Sequence, residues 1–147
     1  MTETTSTIPD RIEREMLLHA PIERVWAAIT DPAEIARWFG DTARIDLRTG
    51  GDAQMTFGGE RVPMIVAAVE PMTRFAYYWE PGMSHEPEVP ADNRTLVEFT
   101  LTPADGGTLL RLVESGFSTL RNPAVRNGNI EGWTSELGEL VAYLKAA

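Results

Sequence analysis

The chain has 147 residues, 43% of them apolar and 24% charged, which fits one globular domain with an adequate core. It has no cysteine and two histidines, so disulfides, thiolate metal sites and thiol nucleophiles are excluded, and no metal or other cofactor is expected. The net charge of −9, without any Lys/Arg-rich run, excludes a nucleic-acid partner, and no stretch approaches the ~20 apolar residues of a membrane span.

Residues 1–10, MTETTSTIPD, read as a disordered lead-in without the charged-then-apolar plan of a signal peptide, so a cytoplasmic protein is expected. The single domain is expected over residues 11–147. RIEREMLLHA alternates with period two and places Ile12, Arg14, Met16 and Leu18 on one side of a first strand. Pro21 opens a short helix, IERVWAAIT, and Asp31-Pro32 opens a second, DPAEIARWF, with Glu34 spaced for a capping box and Ile35, Trp38 and Phe39 on its buried side.

Strands then follow closely. TARIDLR alternates Ala43, Ile45 and Leu47, and DAQMTF alternates Ala53, Met55 and Phe57. In RVPMIVAAVE, Pro63 predicts an edge or a bulge. RFAYYWE puts Phe75, Tyr77 and Trp79 on one face. RTLVEFTLT and TLLRLVESGF, joined by PADGG, read as a hairpin. Pairing Leu101 with Leu110 and Phe99 with Leu112 makes one face apolar, leaves Glu98, Thr100 and Arg111 outside, and sets Glu114 opposite Val97 on the inner face. A buried carboxylate needs a partner, and Arg14 is the expected one.

STLRNPAVRNGN is interrupted by Pro123 and Gly128 and is expected to be irregular. From Trp133 onward, Trp133, Leu137, Leu140, Val141 and Leu144 form one stripe of a 3.6-period helix, which must lie on the sheet. Gly138 falls on the shoulder of that stripe, where close approach of a neighbouring backbone is the expected reason for a glycine.

The order of elements, with the motifs APIERVWAAITDPAEIARWF, TGGDAQMTF, VAAVEPMTRFAYYWEPG, GGTLLRLVESGF and GWTSELGELVAYL, resembles the START/Bet v-like (SRPBCC) superfamily. Within it, the chain is similar to the branch named after the C-terminal domain of the ATPase activator of the ninety-kilodalton heat-shock chaperone. The resemblance implies an α+β helix-grip fold: a curved antiparallel sheet, two short helices and a long C-terminal helix enclosing a cavity. It also implies a hydrophobic small molecule as partner. The prototype's separate N-terminal docking domain has no counterpart in these residues, so a chaperone partner is not expected. Homodimerisation is compatible with the superfamily and left open by the sequence.

Trp38, Met55, Phe57, Phe75, Tyr77, Trp79, Phe99, Phe117, Trp133 and Leu137 are the candidate cavity lining, with Glu114 as the polar group among them. Large flat side chains and methionines suit an apolar ligand. Binding of a small hydrophobic or amphipathic ligand is the leading expectation. The alternatives are a cyclase- or hydrolase-like cavity enzyme with Glu114 or His85 as acid/base, and a co-chaperone-like interaction module. No zinc-protease motif surrounds His85, because Val89 stands where SHEPEV would need a second histidine. ESGFS around Ser115 is not a nucleophile elbow.

Overall fold

A computed structural model describes residues 9–82 and 87–146. Seven strands form one antiparallel sheet: β1 (Arg11–Leu18), β2 (Thr42–Ile45), β3 (Asp52–Phe57), β4 (Glu60–Glu70), β5 (Arg74–Trp79), β6 (Thr95–Ala104) and β7 (Gly107–Ser115). Their order across the sheet is β1-β7-β6-β5-β4-β3-β2. Helices α1 (Ile22–Thr30) and α2 (Pro32–Ile35) carry the chain from the β1 edge to the β2 edge, and α3 (Val125–Ala146) follows a short 3-10 turn at Phe117–Thr119. This is the α+β helix-grip arrangement expected from the sequence, with the apolar faces of sheet and helices sharing one core.

The β6–β7 register is the expected one: Leu101 pairs with Leu110, Phe99 with Leu112 and Val97 with Glu114. Alternation enforces it, since slipping by one residue would exchange buried Leu110 and Leu112 for exposed Arg111. Asp31 caps α2 by accepting from the backbone N–H of Ala33 at 3.0 Å. The capping box is not completed: the Glu34 side chain pairs instead with Arg24 and accepts from the Tyr143 hydroxyl at 3.0 Å, which ties α2 to α3.

Several expectations are corrected. β2 stops at Ile45, leaving Leu47 41% exposed beyond the strand. Of the two alternatives for Pro63 the edge holds, since it stands one residue past the last β4–β5 pair, Met64 with Trp79, while the bulge in β4 lies between Val66 and Ala68. The terminal helix starts at Val125, eight residues before Trp133, because Pro123 precedes its first turn and Gly128 is tolerated inside it. A Cβ on Gly138 would meet nothing within 4 Å, so no backbone approaches there and the residue faces solvent. Asp10 is anchored to the 3-10 turn, accepting from the Ser118 backbone N–H at 3.1 Å.

Candidate functional site

The site is built around a carboxylate on an apolar face. Glu114 lies on β7 between Val97 on β6 and Ile12 on β1, with 0% of its surface exposed. Its Oε2 accepts from the Trp79 indole N–H at 2.8 Å and from the Thr95 hydroxyl at 2.5 Å. Its Oε1 accepts from the Trp133 indole N–H at 2.8 Å and from the Asn129 amide at 2.9 Å. Asn129 and Trp133 are one turn apart on α3, and Thr95 is the cross-strand partner of Trp79, so one side chain joins β5, β6, β7 and α3.

Arg14 is not the partner of Glu114. It is set across from Leu112, two residues before Glu114 on β7, and its guanidinium donates to the backbone oxygen of Glu13 at 2.8 Å on the half-exposed edge. Indole, hydroxyl and amide donors satisfy the carboxylate without the cost of desolvating a guanidinium.

Trp79 and Trp133, held by Glu114, form part of the wall of a cavity of about 320 Å³, open at its mouth. Phe39, Phe57 and Val62 complete its apolar surface, while Glu80, Asn129 and Glu136 supply polar groups. Phe39 is the hub, its ring centroid 5.2 Å from Phe57, 5.3 Å from Trp133 and 6.0 Å from Trp79. Gly128 and Gly132, one turn apart on α3, also line the cavity, and a Cβ at either would meet nothing within 4 Å. Burial pushes the Glu136 carboxyl above its usual range, and the neighbouring Glu139 adds to the effect.

A second void, about 10 Å³, lies deeper against the sheet. Trp38, Met55, Phe75, Tyr77 and Phe99 line it. Phe39 is the one residue that lines both spaces. The Tyr77 hydroxyl is buried without a hydrogen-bond partner among the described residues. Desolvation, reinforced by the charge of Glu114, raises its phenol well above the usual value near 10.

The candidate lining therefore divides. Phe57, Trp79 and Trp133 meet at the larger cavity; Trp38, Met55, Phe75, Tyr77 and Phe99 surround the inner void; Phe117 and Leu137 are packed in the core away from both. His85 lies outside the described residues. Reasoning from sequence missed Phe39, Glu80, Asn129 and Glu136, and it read Gly128 as a helix breaker. The signal that could have found part of this set is the i, i+4 spacing of Gly128 with Gly132, and of Asn129 with Trp133, once the helix is extended backward. Among the described residues, no group of three or more His, Asp or Glu side chains is placed to hold a metal ion, and no helix is long and apolar enough to cross a membrane.

A sheet gripping a long helix over an aromatic-walled cavity defines a START-like, SRPBCC-type domain. The chain belongs to the family described as activator of Hsp90 ATPase homolog 1-like protein, whose model matches residues 19–145. Among solved structures it is similar to MLL2253 from Mesorhizobium loti, with 28% identity over 93% of this chain and 98% of that one, and a TM-score of 0.78. It is similar also to DynU16, a protein in the dynemicin biosynthetic locus, with 28% identity over 93% of this chain and a TM-score of 0.77. This chain spans about half of DynU16, 48% of its length. CalU16 from Micromonospora echinospora is 27% identical over 91% of this chain and 74% of that one, with a TM-score of 0.66. No curated protein matches.

Proposed function

We propose that this protein binds a small hydrophobic or amphipathic molecule in the cavity between the sheet and α3. The observation that carries the reading is the 320 Å³ space walled by Phe39, Phe57, Trp79 and Trp133. Its size is at the small end for ligand sites, suited to a molecule of two or three rings or an equivalent chain. Two features support binding over packing. Glu114 spends all four of its hydrogen bonds on fixing wall and helix, including both indoles. The facing turn of α3 carries Gly128 and Gly132 with open space where side chains would stand. The location of DynU16 in a biosynthetic locus is in keeping with a small-molecule partner.

An acid/base role for Glu114 in a cavity enzyme draws no support from this arrangement, because both oxygens already accept from protein donors. Native mass spectrometry of freshly purified protein, with titration of the neutral fluorophore N-phenyl-1-naphthylamine followed by quenching of tryptophan emission, tests the proposal. Saturable binding that is lost in Gly132→Leu, whose isobutyl group would project into the cavity, is the expected result. No co-purified molecule together with no saturable quenching in the wild-type protein would sink it.

A further inference from the structure

The buried Tyr77 hydroxyl has no hydrogen-bond partner among the described residues, although buried polar groups are nearly always paired. Among the described residues that line the inner void, Tyr77 is also the only one with a side-chain oxygen. At about 10 Å³ that void is at the lower limit for a single water. A water there would find one side-chain hydroxyl instead of the two to four polar partners that hold buried waters. The other polar atom on the lining, the Trp38 indole N–H, is committed to the Ala28 carbonyl at 2.8 Å. Among the described residues the hydroxyl is left unpaired, an arrangement that packing alone does not favour, since phenylalanine would fill the same space without the penalty.

Phe39 lines both this void and the larger cavity. It sits past the end of α2, its backbone N–H bonded to Ile35 O at 2.7 Å, and is followed by Gly40 with φ of +75°. We propose that the inner void is the deep end of the ligand site. There the Tyr77 hydroxyl donates a hydrogen bond to a ketone, ester or ether oxygen on the leading end of the ligand, once the Phe39 ring has turned aside. This rests on the binding function proposed above and names the chemical class that the site selects. An acceptor-only group is specified because the remaining walls are apolar and would strand any donor the ligand brought in. A carboxylate is disfavoured there, since it would lose its hydration and face the field of Glu114. That same field and burial keep the phenol protonated, and so a donor, across the ordinary pH range.

The test uses a matched neutral pair of probes, 2-acetylnaphthalene and 2-ethylnaphthalene, titrated by tryptophan quenching into the wild-type chain and Tyr77→Phe. Wild type is expected to bind the ketone three- to tenfold more tightly than the hydrocarbon. Tyr77→Phe is expected to bind the two equally and to melt at the same temperature as wild type or higher. Equal affinities in wild type, or a ketone preference that survives Tyr77→Phe, overturn the inference while leaving the binding function standing. A variant that melts well below wild type shows that the hydroxyl was already paired by a water, and overturns it too. Binding of neither probe overturns both readings. A crystal structure of the wild-type complex with 2-acetylnaphthalene needs no variant: the ketone oxygen is expected within 3.2 Å of the Tyr77 hydroxyl oxygen, in line with an ordinary O–H···O bond. A ketone left at the cavity mouth overturns the inference.

Discussion

Glu114 is a carboxylate at 0% exposure whose four bonded partners are all uncharged. Replacing it with glutamine turns one acceptor oxygen into an amide that faces other donors. Two N–H or O–H groups then lose their acceptor, at about 1–3 kcal/mol each. Glu114→Gln is therefore expected to cost about 2–6 kcal/mol in urea unfolding, and to broaden the emission of Trp79 and Trp133 as their indoles lose a fixed orientation. Tyr77 affects stability at the other end of the pH scale. Its folded-state pKa is raised, so its contribution is fully present below the unfolded value near 10 and is lost as pH climbs from there toward the folded value. Within that window wild-type stability should fall by up to about 1.4 kcal/mol per pH unit on account of this group, and Tyr77→Phe should lack that component. Unfolding curves from pH 8 to 11 measure the difference. From sequence, the inward placement of both residues was legible, because period-two alternation on β5 and β7 decides it. Their partners were not, since packing of the sheet brings Trp79 to Glu114 from 35 residues away and docking of α3 brings Trp133 from 19.

Among the elements, α3 shows most clearly how local preference and tertiary demand separate. Trp133, Leu137 and Leu140 are its buried residues, and their spacing could be read directly. Its first two turns could not, because Gly128 and Gly132 weaken a helix by about 1 kcal/mol each relative to alanine and suppress the periodic signal. Both glycines stand over the cavity with open space at the Cβ position. Gly128→Ala and Gly132→Ala are thus each expected to raise stability by about 0.5–1 kcal/mol, since a methyl group fits without displacing a neighbour. The same changes narrow the cavity and should weaken N-phenyl-1-naphthylamine binding, whereas Gly138→Ala, on the solvent side, should stabilise without touching binding. Thermal melts and titrations of the three variants separate the two effects. Gly40 is different in kind: its φ of +75° and a Cβ-to-Thr56 O distance of 2.7 Å require glycine there. That requirement fixes where the chain turns after Phe39.

At the scale of the whole molecule, charge and cavity act together. The chain carries a net charge of −9, and among the described residues the charged ones lining the cavity are Glu80 and Glu136, with no Lys or Arg in the lining. An anion would approach against that field, whereas a neutral molecule would not. At pH 7.5 and low salt, 2-naphthoate is expected to bind about tenfold more weakly than 2-acetylnaphthalene. The gap should narrow as ionic strength rises and the Debye length contracts. Equal binding of the two at low salt would remove the rim carboxylates from any account of specificity.

By itself the sequence determined most of the strands and the β6–β7 register, because each follows from a short-range period that one wrong residue would invert, and the order of elements with its motifs carried the resemblance that implied the class of fold. It also determined that an aromatic set and one carboxylate point inward. Only the tertiary structure decided that Phe39 lines both a roomy cavity and a much smaller inner void, and that Glu114 is satisfied by two indoles, an amide and a hydroxyl while Arg14 stays at the edge. The Tyr77 hydroxyl left without a partner belongs to the same list. The reason is common to all of them: cavities and buried hydrogen bonds depend on which distant segments meet and how closely, and no local period records that distance.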